Sequence, residues 1–148
     1  MLAEGKNQWN KNYPTLTNVV DDIEKGIAYV IELAGNVVAY GAIVSEGEPA
    51  YDYIDGAWLS SERYIVVHRL AVHQRIERKG LAIKFLQEVE KIAQSRDITS
   101  FRIDTNYDNQ RMFNLACKCG FTYCGEVIYK NGTRKAFEKL LSKLLSRI

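Results

Sequence analysis

The sequence contains little of what marks membrane, secreted or nucleic-acid-binding proteins. No apolar run approaches the roughly 20 residues that a helix needs to cross a bilayer, and the N-terminal residues MLAEGKNQWN lack the hydrophobic region of a signal peptide. The formal net charge is only +2 and the pI is about 8.4, whereas a nucleic-acid-binding domain usually has a pI above about 9. Any basic patch must therefore be local, and we expect neither a membrane nor a nucleic acid as partner.

Cysteine is also scarce, with Cys117, Cys119 and Cys124 as the complete set. Their spacing has no matching histidine nearby, so we expect no metal site. As nucleophiles they would need a neighbouring base to lower their pKa, and the sequence places none beside them. Free thiols in a reducing compartment are the better interpretation of an odd, clustered set, which indicates the cytoplasm.

At 148 residues the chain is long enough to bury a sizeable core, and we expect one domain over residues 1–148. Its first predicted element is a short helix from the cap residue Thr17 through Lys25. Gly26 closes this helix, because glycine is favoured just beyond helix C-termini. Three apolar residues at helical spacing are predicted to point inward, namely Val19, Val20 and Ile23.

Strands dominate the rest of the first half. IAYVIELA and VVAYGAIVSE are rich in β-forming residues, and the two-residue turn Gly35-Asn36 predicts that they form a hairpin. The segment from Gly47 to Ser61 is typical of a loop. RYIVVHRLAV, from Arg63 to Val72, is almost continuous in β-forming residues, which predicts a buried central strand.

The second half alternates helices and strands. An amphipathic helix follows Gly80, and SFRIDT alternates as a strand from Ser100 to Thr105. Asp108 is predicted to cap a second helix that Gly120 ends, and FTYCGEVIYK and RKAFEKLL form a second hairpin through Asn131-Gly132. This order predicts an α/β fold with a mixed, mostly antiparallel sheet and one parallel strand–helix–strand crossover at its centre. The apolar face of the first of these helices comprises Ala82, Phe85, Leu86, Val89, Ile92 and Ala93.

The segment HQRIERKG, from His73 to Gly80, concentrates positive charge just before a predicted helix. Arg75, Arg78 and Lys79 place three cations within five positions, and Gly80 lets a ligand approach the backbone without a Cβ in the way. A parallel crossover aims the start of its helix at the carboxyl edge of the sheet, where first-turn amides and the helix dipole attract anions. The pattern predicts a phosphate site; the alternative is a solvated loop before a surface helix. The P-loop signature is absent.

HRLAVHQRIERKGLAIKFL resembles the cofactor-binding motif of the GNAT superfamily of acetyl-CoA-dependent N-acetyltransferases. Leu70-Ala71-Val72 matches the strand end of that motif, and Gly80-Leu81-Ala82 matches the second half of its loop signature. Downstream, Asn109 and Gly120-Phe121 resemble the family's Asn-helix-Gly-Phe segment, and NGTRKAFEKLL resembles its last hairpin. The resemblance runs from about Ala28 to Lys139.

The resemblance implies a GNAT-like fold and the transfer of an acetyl group from acetyl-CoA to a primary amine of a small molecule or peptide. It implies that the backbone of Leu70–Val72 pairs with the pantetheine arm like an added strand, that the amides of Arg78–Ala82 hold the pyrophosphate, and that Asn109 bonds the cofactor near the pantetheine. The amine attacks the thioester directly, so the protein mainly positions the reactants and stabilises the oxyanion. Together with the basic loop, the expected cofactor-binding residues are Leu70, Ala71, Val72, Arg75, Arg78, Lys79, Gly80, Leu81, Ala82 and Asn109.

Three positions or segments depart from the family pattern. Glu77 stands where the loop signature carries Arg or Gln, and Ala116 stands where many relatives carry a tyrosine that protonates the departing thiolate. Family members usually begin with a strand and one or two helices, whereas only a short polar stretch precedes Thr17. We expect either a shortened N-terminal strand and helix or a second copy, as in a homodimer, that completes this edge.

His68 is the expected catalytic residue. It lies two and four residues before Leu70 and Val72, on the same face if the strand is regular, and an imidazole with a reference pKa of about 6.5 accepts a proton from an ammonium substrate at neutral pH. The alternative is a hydrogen-bonded core histidine. At the end of strand SFRIDT, Asp104 and Asn106 either contact the substrate or cap the next helix.

Two other classes of function stay open. The first is a CoA-binding domain without catalysis that acts as a sensor or assembly module, favoured by Glu77 and Ala116; turnover with a panel of amines separates it from an enzyme. The second is a basic nucleic-acid-binding module, which predicts salt-dependent binding to any duplex. Its charges occupy one loop rather than a stripe, which argues against it. The residues that it would use are Arg69, Arg75, Arg78 and Lys79.

Overall fold

The computed structural model describes residues 15–73 and 78–142, in which three α-helices, one short 3₁₀ helix and seven strands are found. The helices are α1 (Leu16–Glu24), α2 (Arg78–Ser95) and α3 (Gln110–Lys118), and the 3₁₀ helix is Pro49–Tyr53. The strands are β1 (Ala28–Leu33), β2 (Asn36–Val44), β3 (Asp55–Gly56), β4 (Tyr64–Val72), β5 (Ser100–Asn106), β6 (Thr122–Tyr129) and β7 (Gly132–Leu140).

All seven strands belong to one sheet, in the order β1-β2-β4-β5-β7-β6-β3. β4 and β5 pair in parallel, with α2 as the crossover between them, while β1 with β2, β3 with β6, β5 with β7 and β6 with β7 pair antiparallel. The predicted mixed α/β fold with one central parallel crossover is confirmed. Among the described residues, no helix combines the length and the apolar character that a membrane-crossing helix requires.

The contacts divide the chain into two compact units. The first contains the described residues up to Val44 together with Val67–Val89, and the second contains Ser45–Val66 and the described residues from Glu90 onward. β4 therefore contributes its first three residues to the second unit and the remainder to the first.

In the first unit, α2 packs closely against the sheet. A Cβ built on Gly41 of β2 would lie 2.7 Å from two ring atoms of Phe85 and 3.0 Å from a methyl carbon of Val67, so the helix face and the strand meet at a distance that only glycine permits. The predicted apolar face of this helix is confirmed, since its buried residues include Phe85, Leu86, Val89 and Ala93, with Ala82 and Ile92 partly buried.

The helix α1 differs from its prediction at its start and in its inward face. Thr15 rather than Thr17 caps it, through a reciprocal pair of hydrogen bonds with Asn18. The residue that points inward is Asp22, which is 2% exposed, whereas Val20 and Ile23 are 44% and 61% exposed. The prediction that Val20 and Ile23 face inward is therefore wrong. The reason is a set of polar partners for Asp22 elsewhere in the first unit, described below.

Turns and caps elsewhere lie one position from their predicted places. The first hairpin turns at Ala34-Gly35, where φ is 51° and 82°, so the turn residues are the two that adopt the left-handed conformation and not Gly35-Asn36. The second hairpin turns at Lys130-Asn131, because Gly132 already begins β7. Asn109 rather than Asp108 caps α3, through its side-chain oxygen and the Met112 amide, 3.0 Å apart. The segment predicted as a loop contains the 3₁₀ helix and β3.

The second unit is built around a fully buried carboxylate, that of Glu138 on β7. It accepts hydrogen bonds from the Leu59 amide at 2.6 Å, the Ser60 hydroxyl at 2.8 Å and the Ser100 hydroxyl at 2.5 Å. The Arg102 guanidinium forms an ion pair with it, with Nε 3.4 Å from Oε2. These donors and the adjacent cation replace the hydrogen bonds that the carboxylate would make with water.

The guanidinium of Arg102 also lies between two aromatic rings. Its central carbon is 4.2 Å from the ring centroid of Trp58 and 4.2 Å from that of Tyr64, and an Nη2 donates to the Ser60 carbonyl at 2.6 Å. The indole nitrogen of Trp58 donates in turn to the Tyr51 carbonyl. Cation–π contacts of this kind are strongest when the cation is desolvated, so this cluster fixes the 3₁₀ segment against β4 and β5.

Glu138→Gln should lower the free energy of unfolding by about 3–5 kcal/mol, because it leaves the Arg102 guanidinium buried without a counter-charge. Glu90→Gln is the matched control: it removes the same charge from the ion pair with Lys139, whose partners are 26% and 23% exposed, and it should cost at most about 1 kcal/mol. Urea unfolding of the two variants and the parent chain measures both values. If both variants lost the same free energy of unfolding, burial of the Glu138–Arg102 pair would not explain its contribution to stability.

Candidate active site

The carboxyl end of β4 extends beyond the parallel ladder. Pairing with β5 joins Tyr64–Val66 to Ser100–Arg102, and β4 then continues through Val72. At the end of the strand the His73 amide donates to the Val38 carbonyl of β2 at 2.8 Å. The segment Leu70–Val72, for which the family resemblance implied a cofactor contact, is therefore followed directly by a backbone hydrogen bond to the neighbouring strand β2.

A left-handed residue lies within β4 just before this segment. Arg69 has φ 57°, a conformation that residues other than glycine rarely adopt within a strand. His68 was expected to share a face with Leu70 and Val72 on the condition that the strand is regular. The left-handed backbone at Arg69 makes β4 irregular between them, so strand alternation no longer supports this expectation. His68 itself is half-buried. Its catalytic role stays a prediction.

The start of α2 follows the end of β4 at short range, since only residues 73–77 separate them. The first helical turn contains no acidic residue, and its backbone includes Arg78, Lys79 and Gly80. Gly80 is exposed, while Leu81 is buried and anchors the turn. Arg75 and Glu77 lie outside the described residues. An 18-residue helix that begins in this way provides backbone amides without internal partners and the positive end of its dipole.

In the second unit, Asp104 near the end of β5 accepts three side-chain hydrogen bonds. The donors are the hydroxyls of Tyr51 and Tyr129, at 2.7 and 2.8 Å, and Nε of Arg134 at 2.5 Å. Arg134 also donates to the Asn106 side chain at 2.8 Å. Neither Asp104 nor Asn106 caps α3, so that alternative for the two residues is wrong. Tyr51 was missed because it lies in a segment predicted as a loop.

The hydroxyls of these tyrosines are held in the protonated form. Burial raises the pKa of Tyr51 and of Tyr129, and the negative charge of Asp104 raises both further. The hydrogen bond to Glu126 raises the pKa of the exposed Tyr107, and burial raises the pKa of Tyr123, with Glu126 adding to the effect. All four groups are therefore better hydrogen-bond donors than proton donors in a reaction at neutral pH.

Asn109 and Ala116 both belong to α3. The Asn109 side-chain oxygen is used as the helix cap, so its amide NH₂ is the group with which it would bind a ligand. The cofactor contact of Asn109 stays a prediction. Ala116 is fully buried, and alanine carries no proton to donate. Burial raises the pKa of Cys119 and of Cys124, which disfavours the thiolate that a cysteine nucleophile requires.

The pair formed by Asp22 and Arg69 was also missed by the sequence analysis. Two signals were available: an acidic residue interrupts the apolar spacing of α1, and an arginine interrupts the β-forming run of β4. Neither signal identifies its partner, since the two residues are 47 positions apart.

Comparison with known proteins gives a consistent result. Residues 3–121 match the sequence model of the Acetyltransferase (GNAT) family. A GNAT-family acetyltransferase from Streptococcus agalactiae has 34% sequence identity and a TM-score of 0.81, with 96% of this chain and 83% of that chain covered. The NatB acetyltransferase complex bound to CoA and MES has 19% identity and a TM-score of 0.66, with coverages of 91% and 87%, which shows similarity of fold.

A streptothricin acetyltransferase from Escherichia coli is 31% identical over 97 residues, which are 64% of this chain and 53% of that protein. The matched region thus spans about half the length of this curated relative. The family model matches most of the chain, and the Streptococcus agalactiae structure is similar over almost all of it. The resemblance inferred from the residues is confirmed, and the chain belongs to the Acetyltransferase (GNAT) family.

Proposed function

We propose that the protein transfers an acetyl group from acetyl-CoA to a primary amine. The observation that carries the proposal is the continuation of β4 beyond its parallel ladder, followed after five residues by the start of the long helix α2. A strand end and a helix start in direct succession suit a ligand with an amide-bearing arm and a pyrophosphate. Membership of the family supports the same assignment.

The residues of the first unit fit this donor by their chemistry. The pantetheine arm carries peptide-like amides, and the backbone of Leu70–Val72 offers them the hydrogen-bonding groups of an extended strand. The pyrophosphate is an anion, which the amides of the first turn of α2 attract, and the charges of Arg75, Arg78 and Lys79 complement it. Gly80 keeps this turn accessible to the phosphates.

In the proposed reaction the amine nitrogen forms a bond to the thioester carbonyl carbon, and the carbon–sulfur bond breaks. An ammonium substrate must lose two protons in total. His68 accepts the first, which frees the nitrogen lone pair, and the second is released by the nitrogen once the carbon–nitrogen bond has formed and is taken up by the thiolate after it has departed. A thiol with a reference pKa of about 8.5 departs as an anion at modest cost, so a dedicated acid is not required.

The acceptor class follows from the relatives only in part. The similarity to a streptothricin acetyltransferase makes streptothricin the first amine to test. Polyamines, aminoglycosides and lysine-containing or N-terminal peptides complete the panel, with free-thiol release as the measure of turnover.

Cys117, Cys119 and Cys124 are all free thiols, which supports the expectation of a reducing, cytoplasmic setting.

Acetyl-CoA should raise the melting temperature increasingly with its concentration, by ligand linkage, and Gly80→Glu should abolish this shift. The substitution places bulk and a negative charge where the pyrophosphate is expected. Thermal unfolding of both proteins over a titration to millimolar acetyl-CoA makes the comparison, with circular dichroism to verify that the variant is folded.

Gln87→Glu is the matched control for this substitution, because it adds the same charge at an exposed position of the same helix. It should retain the full thermal shift. A flat titration of the parent chain would remove the proposed function, and an undiminished shift in folded Gly80→Glu would mean that the phosphates bind elsewhere.

His68→Ala should lower kcat by about 10²–10⁴ at neutral pH if His68 is the general base, while the affinity for acetyl-CoA is retained. The chain contains only two histidines, so His73→Ala is the natural control and should keep near-normal turnover. Steady-state kinetics with the best acceptor of the panel measures both. Near-normal kcat in a folded His68→Ala variant would assign this residue to the core.

Phenylalanine at Tyr107, Tyr123 or Tyr129 should cost less than about tenfold in kcat, below the usual range for a lost general acid. The reason is that the pKa of each hydroxyl is raised and thiolate departure needs little assistance. Each variant is assayed at equal folded concentration, because Tyr129→Phe also removes a hydrogen bond to Asp104. A thousandfold loss at one position, with donor affinity unchanged, would identify that tyrosine as the acid.

A further inference from the structure

The side chain of Arg69, whose backbone is left-handed, is connected through Asp22 to two other elements of the first unit. The Arg69 guanidinium makes two hydrogen bonds to the Asp22 carboxylate, Nε to Oδ2 at 2.9 Å and Nη2 to Oδ1 at 2.5 Å. The hydroxyl of Tyr40, on β2, donates to the same Oδ2. One carboxylate from α1 thus connects β2 to the irregular residue of β4.

This arrangement is costly in two ways. A side chain other than glycine in the left-handed region costs on the order of 1–3 kcal/mol, and a buried ion pair is often no more stable than apolar side chains in its place. In addition, α1 directs Asp22 inward while Val20 and Ile23 of the same helix are exposed. Stability alone is therefore a poor explanation for the pair.

The Asp22 carboxyl is nevertheless ionised at neutral pH. Burial by itself would raise the pKa of Asp22, but the hydrogen bonds from Arg69 and Tyr40 and the charge of Arg69 outweigh burial, and the pKa lies below its usual value. The pair therefore persists at neutral pH. Along β4, Arg69 lies between two backbone contacts. The parallel pairing with β5 ends at Val66, and the His73 amide donates a hydrogen bond to the Val38 carbonyl.

We propose that Asp22, acting through Arg69, is a positioning residue that holds the left-handed backbone at position 69 and so sets the direction of Leu70–Val72. This inference rests on the proposed function, because that segment is the one assigned to the pantetheine arm. Loss of the anchor leaves the binding-competent backbone only partly populated. The apparent affinity for the donor then falls by that fraction.

Two substitutions at one position separate the anchor from the backbone. Arg69→Ala and Arg69→Gly both remove the ion pair and leave Asp22 without its cation, but glycine enters the left-handed region at no steric cost. Arg69→Ala should raise the KM for acetyl-CoA about tenfold with less than about threefold loss of kcat at saturating donor. Arg69→Gly should restore KM to within about threefold of the parent value.

The readout of this rescue is KM at equal folded concentration, because glycine relieves the left-handed strain in the folded state as well. A merely structural role for Arg69 predicts that the two variants differ in their free energy of unfolding and share the parent's KM for the donor. Asp22→Asn should also raise KM for the donor about tenfold, and the effect should largely vanish in the Arg69→Gly background, as a double-mutant cycle reveals. Asp21→Asn, at the exposed neighbouring position of the same helix, is the matched control and should leave KM unchanged.

Steady-state kinetics and acetyl-CoA melting shifts of these variants test the proposal. A parent chain that binds no acetyl-CoA would overturn the proposed function itself. If the parent binds the donor, equal KM values for Arg69→Ala and Arg69→Gly, or an unchanged KM in Asp22→Asn, would overturn the positioning role. Should both substitutions at Arg69 prevent folding, Asp22→Asn against Asp21→Asn decides. If Arg69→Ala, Arg69→Gly and Asp22→Asn all fail to fold, the ion pair serves stability, and the proposal is overturned as well.

Discussion

A carboxylate that is withdrawn from water must be paired, and in the first unit Asp22 is paired with an arginine whose backbone is left-handed within a strand. Arg69 can reach Asp22 with two hydrogen bonds while its own backbone is left-handed. The same contact explains why α1 turns its polar residue inward and leaves Ile23 exposed. The helix α1, strand β2 and strand β4 are therefore connected through the side chain of Asp22.

The second unit uses buried carboxylates differently. Glu138 is surrounded by donors from the chain and by the Arg102 guanidinium, in contacts that tie neighbouring strands and the 3₁₀ segment together. Asp104 binds two tyrosine hydroxyls and Arg134. In this network two tyrosine hydroxyls and the Arg134 guanidinium surround the carboxylate, and the raised pKa values of Tyr51 and Tyr129 keep these hydroxyls protonated as hydrogen-bond donors.

The long elements of the fold were predictable because their apolar periodicity extends over many residues, as in α2 and β4. The residues at which helices begin and hairpins turn were not predictable in the same way. Thr15 and Thr17 are equally good caps by composition, as are Asp108 and Asn109, and the structure selects one of each by packing. The family was recognised from local motifs and their spacing, whereas the contact between Asp22 and Arg69 was missed, because the two residues lie 47 positions apart.

The chemistry proposed for this chain depends more on the position of the backbone than on a dedicated acid. A thioester already carries a good leaving group, so the slow requirement is to bring a deprotonated amine and a polarised carbonyl together in the correct geometry. Backbone groups meet that requirement as well as side chains do, and Ala116 in place of a tyrosine is then no defect. Apart from the general base proposed at His68, side chains that fix the direction of the backbone are then the ones that can alter such a reaction. A buried acid on a helix that touches no reacting atom can for this reason control the affinity for the donor.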